Sequence, residues 1–251
     1  MCGQRCYQVL VVEQDVYARH AISSYLGWDR RTRVVGQVGS LVTLPPDLAE
    51  EMTNGLIDVV LLDTNTAADA AGLEKEIAHI KAWIPNASII GLAHKSEADL
   101  VAACERAGAR GCFNRDHVEL ALASAICIAM LHPFTVTQDL AGALVTYWGR
   151  RTDGFYVLPD KRDFHNLTQR VVQALELVVL DGMPAEVAAD EMGVSTSTIR
   201  SYVKQGYRVL EDEDETNIPT ELSPIERAFQ RITSLGAEEP EASDGLDSRA
   251  A

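Results

Sequence analysis

The run Ile57-Asp58-Val59-Val60-Leu61-Leu62 constrains this chain more than any other stretch, because its consecutive branched apolar side chains from Val59 to Leu62 leave neither face of a strand for water. A strand buried on both faces belongs in the middle of a parallel sheet covered by helices on both sides. Similar short apolar runs at Gln8 to Val12, Arg33 to Gln37, Ser88 to Leu92 and Gly111 to Phe113 predict four more strands. Amphipathic stretches separate them at Val16 to Leu26, Pro46 to Met52, Gly72 to Trp83, Glu97 to Ala107 and Val118 to Leu131. Gly27, Gly55 and Gly108 stand where left-handed helix caps are expected. The expected fold is therefore α/β, with a five-stranded parallel sheet over residues 1–131.

In such a sheet the loops after the carboxyl ends of the strands share one crevice. Glu13-Gln14-Asp15, Asp63-Thr64-Asn65 and Ala93-His94 follow three of these ends, so carboxylates should gather at one mouth.

The rest of the chain has a different pattern. Residues 132–166 read as a connection that contains a helix near Gln138 to Trp148, since a structureless link of that length is unusual. Residues 167–236 read as a second domain, all helix from Leu167 to Leu210 with breaks at Asp181-Gly182-Met183-Pro184 and Gly193-Val194-Ser195. Ser223-Pro224-Ile225-Glu226 forms a capping box that opens a last helix, Pro224 to Leu235. Its stripe of Ile225, Phe229 and Ile232 suits either a dimer contact or packing in its own core. Residues 237–251 are acidic and small, which predicts disorder.

Composition narrows the function classes. The net charge of −15 argues against a general nucleic-acid binder, yet from Glu211 onward twelve acidic residues face three arginines, so most of the excess lies in a tail. No apolar run reaches the roughly 18 residues of a membrane helix, and the expected location is cytoplasmic. Five scattered cysteines with no Cys-x-x-Cys spacing predict free thiols.

Three segments together resemble the receiver domain of response regulators: Val9-Leu10-Val11-Val12-Glu13-Gln14-Asp15, Asp58-Val59-Val60-Leu61-Leu62-Asp63, and Ala107-Gly108-Ala109-Arg110-Gly111-Cys112-Phe113. That resemblance implies a flavodoxin-like, doubly wound sheet. It also implies Asp63 as phosphoacceptor, with Mg²⁺ held by Glu13, Asp63 and the backbone at Asn65. The other positions depart from the family. Gln14 replaces one acid of the metal pair, Ala93 the phosphate-sensing hydroxyl, Cys112 the switch aromatic, and Arg115 the lysine; Ala67 stands where a proline is expected. A hard divalent ion wants several anionic oxygens, so Mg²⁺ is expected to be weak and no cofactor to be required.

Gly182 to Ser195 followed by Thr196-Ser197-Thr198-Ile199-Arg200-Ser201-Tyr202-Val203 resembles the LuxR-type helix-turn-helix of NarL/FixJ response regulators. Double-stranded DNA is the implied partner, with Thr196, Ser197, Arg200, Ser201 and Lys204 as contacts. Against easy binding, Leu167 to Leu210 holds four basic and five acidic residues. The expected function is a homodimeric transcription regulator whose altered receiver answers to a partner protein or small ligand rather than to phosphorylation. The alternatives are an adaptor that has lost DNA binding and a conventionally phosphorylated regulator. No nucleophile-base pair points to another enzyme.

Overall fold

A computed structural model describes residues 6–41, 56–148, 154–162, 164–213 and 218–236. The expected helix at Pro46 to Met52, the expected cap at Gly55, Cys2 and the tail beyond 236 lie outside these residues.

The predicted strands form, each close to its expected bounds: β1 Tyr7–Val12, β2 Thr32–Val38, β3 Val59–Asp63, β4 Ser88–Ala93 and β5 Gly111–Asn114. The sheet does not stop at five. Two short strands, β6 Thr135–Val136 and β7 Tyr156–Val157, extend it to seven parallel strands in the order β2-β1-β3-β4-β5-β6-β7. Gly111 permits the addition, because a Cβ there would stand 2.6 Å from the Thr135 carbonyl oxygen. The segment read as a connection thus supplies a β-α-β unit, with a helix at Gln138–Trp148 as predicted.

Alternation along the strands sorts their side chains into two apolar layers. Leu10, Val12, Val60, Leu62 and Ile89 face one layer, while Val9, Val11, Val59, Leu61 and Ile90 face the other. The first layer is closed by α2 (Ala70–Trp83), α3 (Ala98–Arg106) and the helix over Gln138–Trp148. The second is closed by α1 (Val16–Trp28) and residues after β5. There the single helix expected from Val118 to Leu131 is broken. A turn, α4 (Arg115–Val118), leads through a 3₁₀ stretch at Glu119–Ala121 into α5 (Leu122–Ala129), and Glu119 adopts φ 39°. Among the predicted glycine caps, Gly108 is left-handed at φ 74°, whereas Gly27 is inside α1, which runs on to Trp28.

With the Gln138–Trp148 helix as α6, the chain continues through α7 (Gln169–Leu175), a π-helical turn at Glu176–Leu180, α8 (Ala185–Met192), α9 (Thr196–Glu213) and α10 (Pro224–Ile232). Gly206 lets α9 approach α7, since a Cβ there would lie 2.7 Å from Leu175. The predicted capping box at Ser223 and Glu226 is present. Phe229 is buried with Val171, Leu175 and Leu210, and Ile225 and Ile232 pack against this cluster. The stripe on α10 is therefore core.

This helical part is fastened to the α/β part. Trp28 meets Phe229 with ring centroids 5.9 Å apart, and Arg30 pairs with Glu226 at 2.7 Å. Buried Arg31, held in a two-point pair by Asp29, donates to Ser234 Oγ at 3.2 Å. The Leu235 amide donates to Ser124 Oγ at 3.1 Å, and its side chain joins the layer beneath α1 and α5.

Candidate functional site

Two places gather the residues picked out in the sequence. The first is the carboxyl end of the sheet, near the point between β1 and β3 where the strand order reverses. Asp63 ends β3 and is buried; its Oδ1 accepts from the Asn65 amide at 3.0 Å, leaving Asn65 itself exposed. Glu13 follows β1 and is equally buried. One of its oxygens accepts from the Asp15 amide at 2.9 Å and the other from Arg115 Nη1 at 2.8 Å. The Arg19 guanidinium holds the Glu13 carbonyl at 2.6 Å.

Arg115 therefore carries a positive charge into the acidic mouth, where it is paired with Glu13. Its Nη1 also lies 2.8 Å from His94 Nε2, which stands 3.4 Å from Asp63 Oδ1. Burial pushes the Glu13 carboxyl above its ordinary range. The Asp15 amide opposes that shift, nearby Asp63 adds to it, and Arg115 works against it. Its position after β4 places His94 at this mouth but gives it no role; its reach toward Asp63 depends on a side-chain direction that strand position does not specify.

Glu13, Asp63 and His94 each offer a ligand atom within 4.8 Å of the others. These residues do not fit Mg²⁺. Gln14 is exposed, both Glu13 oxygens are engaged by the protein, and the Arg115 guanidinium contacts both Glu13 and His94, two of the three groups that could hold an ion. Asp15, one residue further on, caps α1 by accepting from the Ala18 amide.

The remaining switch positions are sealed. Ala93 is buried. Cys112 is fully buried on β5, and a hydrogen bond with Cys104, followed by burial, pushes its thiol well above the ordinary value. A Cβ on Gly91 would lie 3.0 Å from Cys104 Sγ and 3.4 Å from Cys112 Sγ, so the two sulfurs fill the space that glycine leaves.

The second place is the α8-turn-α9 unit. Gly193 ends α8 in the left-handed conformation at φ 65°, which reverses the chain within a few residues. Ser195 Oγ then accepts from the Thr198 amide at 3.1 Å and caps α9. Ile199, Gly206 and Leu210 are buried on the inner side of α9, with Tyr202 partly buried. Ser197, Arg200, Ser201 and Lys204 share the exposed side with Arg208, and Thr196 is half-buried at the start. Arg200 pairs with Glu186 of α8 at 3.1 Å, both side chains being about two-thirds exposed at 69% and 66%.

No helix among the described residues is long and apolar enough to cross a membrane. No protein-family model matches the chain, and no curated protein matches it. Similar solved structures are of response regulators. The RcsB response regulator of Salmonella typhimurium is 18% identical, covers 84% of this chain and 95% of its own, and gives a TM-score of 0.48. A complex of the two-component response regulator RcsB with DNA is 16% identical over 91% of this chain and 100% of that one, also at a TM-score of 0.48. The response regulator ChrA of a heme-sensing two-component system is 20% identical over 91% and 98%, at 0.42.

Proposed function

We propose that this chain is a sequence-specific, DNA-binding transcription regulator built like a response regulator, and that its α/β part is not switched by conventional aspartyl phosphorylation. The observation that carries the first half is the exposed face of α9. A capped helix follows a left-handed glycine turn and turns Ser197, Arg200, Ser201 and Lys204 outward together. A helix presented in this way fits the major groove of B-form DNA, where arginine reads guanine edges and lysine neutralises phosphate. In this reading residues 167–236 are the DNA-binding domain and the protein acts as a homodimer on paired half-sites.

The second half rests on Arg115. A tethered cation already balances Glu13, the acid that a divalent ion would need beside Asp63 to help transfer a phosphoryl group there, and it also contacts His94.

Mobility-shift titration with fragments of the source genome tests the DNA reading. A specific shifted band, weakened about tenfold or more by Arg200→Ala, is the expected result; absence of any specific band at low salt overturns it. Incubation with acetyl phosphate and Mg²⁺ followed by intact mass tests the second half, and a stoichiometric adduct on Asp63 defeats it. A second reading, a protein-interaction adaptor, draws on the Arg200–Glu186 pair, which offsets the best base-reading group on α9. Persistent loss of DNA binding with retained fold would favour it.

A further inference from the structure

A cavity of about 460 Å³ opens at the seam between the α/β part and the helical part. Its apolar wall comes from Ile22 on α1, Leu92 on β4, Val118 at the end of α4 and Leu122 at the start of α5, while Leu180 closes it from the helical side. The buried floor and the size suit a small organic molecule rather than a few waters.

The polar lining is one-sided. Arg115, Asp116, Glu119 and Asp181 reach the cavity. Arg115 is already paired with Glu13, and Glu119 with Lys161 at 2.5 Å. Asp116 and Asp181 are exposed at the cavity and have no salt bridge among the described residues. Tyr25, 41% exposed, adds an aromatic ring to the same lining. Carboxylates beside an aromatic face and an apolar floor attract an organic cation, and they repel an anion of the same shape.

Two departures from regular backbone meet at this cavity. Glu119 holds φ 39°, the one non-glycine residue with positive φ among the described residues, and Leu180 ends the π-helical turn that leads into Gly182 and α8. Irregularities of both kinds concentrate where proteins bind ligands.

We propose that this seam binds a small organic amine with an aromatic or alkyl body, its ammonium between Asp116 and Asp181 and its apolar part against Ile22, Leu92 and Val118. An occupant would touch residues of both parts of the molecule, so it would stabilise their present arrangement. The inference stands apart from the DNA reading, because a cavity can be titrated whether or not α9 meets DNA.

Calorimetric titration of the full chain with phenylbutylamine, and with phenylbutanoate as the matched anion, tests it. The expected result is that the amine binds at least about tenfold more tightly than the acid. Asp116→Asn combined with Asp181→Asn should weaken the amine by a similar factor. Ala21→Phe, which places a ring in the cavity, should abolish it. Equal affinities, tighter binding of the acid, no binding of either compound, or amine binding unchanged by the paired asparagine variant would each overturn the proposal. The asparagine pair alters exposed side chains only, so the test survives if Ala21→Phe fails to fold.

Discussion

The mouth of the sheet and the outer face of α9 both collect charged side chains, and they treat them in opposite ways. At the mouth, Glu13 is buried and its acceptors are met from within: Arg115 pairs with its carboxylate, Arg19 donates to its backbone carbonyl, and the Asn65 amide donates to neighbouring Asp63. On α9, Arg200 and Lys204 face solvent, and among the described residues only the exposed Glu186 engages one of them. Exposed ion pairs of that sort are worth little and exchange easily for phosphate. A charge balanced inside the protein is structural, whereas a charge left to solvent is available to a partner.

The sharpest way to break the comparison is to empty the mouth of its cation. Arg115→Ala leaves Glu13 buried without its countercharge, and should lower stability by about 2–4 kcal/mol in urea denaturation with chelator present. Added Mn²⁺ should return part of that loss, because Glu13, Asp63 and His94 are already within reach of one another. If the variant is as stable as the parent, Arg115 is not the balancing charge. Lys204→Ala makes the opposite test on α9. It should leave stability within about 0.5 kcal/mol of the parent and reduce the slope of log affinity against log salt by about 1, read from anisotropy titrations.

Smaller effects separate buried from exposed carboxylates by pH. Ser223→Ala removes the cap of α10 and should cost about 1 kcal/mol. Its partner Glu226 is held at about 2 by hydrogen bonds from Ser223 and Arg30. A lowered value means that its contribution is present above the ordinary 4.5 and is lost as pH falls through about 2. Ser223→Ala should therefore flatten the acid limb of the stability curve in that window. Glu13 works with the opposite sign. Because its value is raised, its contribution is complete below the ordinary 4.5 and disappears as pH rises through the raised value. Thermal melts of Glu13→Gln should lose that decline, and an unchanged profile would show that Glu13 is not the buried acid it is taken to be.

Much of this contrast could be read from the sequence. β1, β3 and β4 were legible because their apolar runs are long enough to fill two faces, and the end of a strand tells where Glu13 and Asp63 must sit. The α9 face was legible because a period of 3.6 places positions 197, 200, 201 and 204 on one side. β6 and β7 escaped notice because two residues each give no periodicity, and because Gly111 signals a close approach only once the neighbouring strand is known. The pairing of Arg115 with Glu13 rather than Asp63 was hidden for another reason: a long side chain can reach several partners, and spacing along the chain does not choose among them. The break at Glu119 was likewise masked by residues that would all suit a continuous helix.

Leu235 gives the molecule a temporal property. Its side chain completes an apolar layer whose other members begin at Val9, and its amide donates to Ser124, so the first of the described strands waits for one of the latest residues described. Proteins of two parts ordinarily fold the leading part first, as synthesis proceeds. Here the leading part keeps an open flank until the trailing helices have formed and returned to it, so its final closure waits for synthesis to pass Leu235.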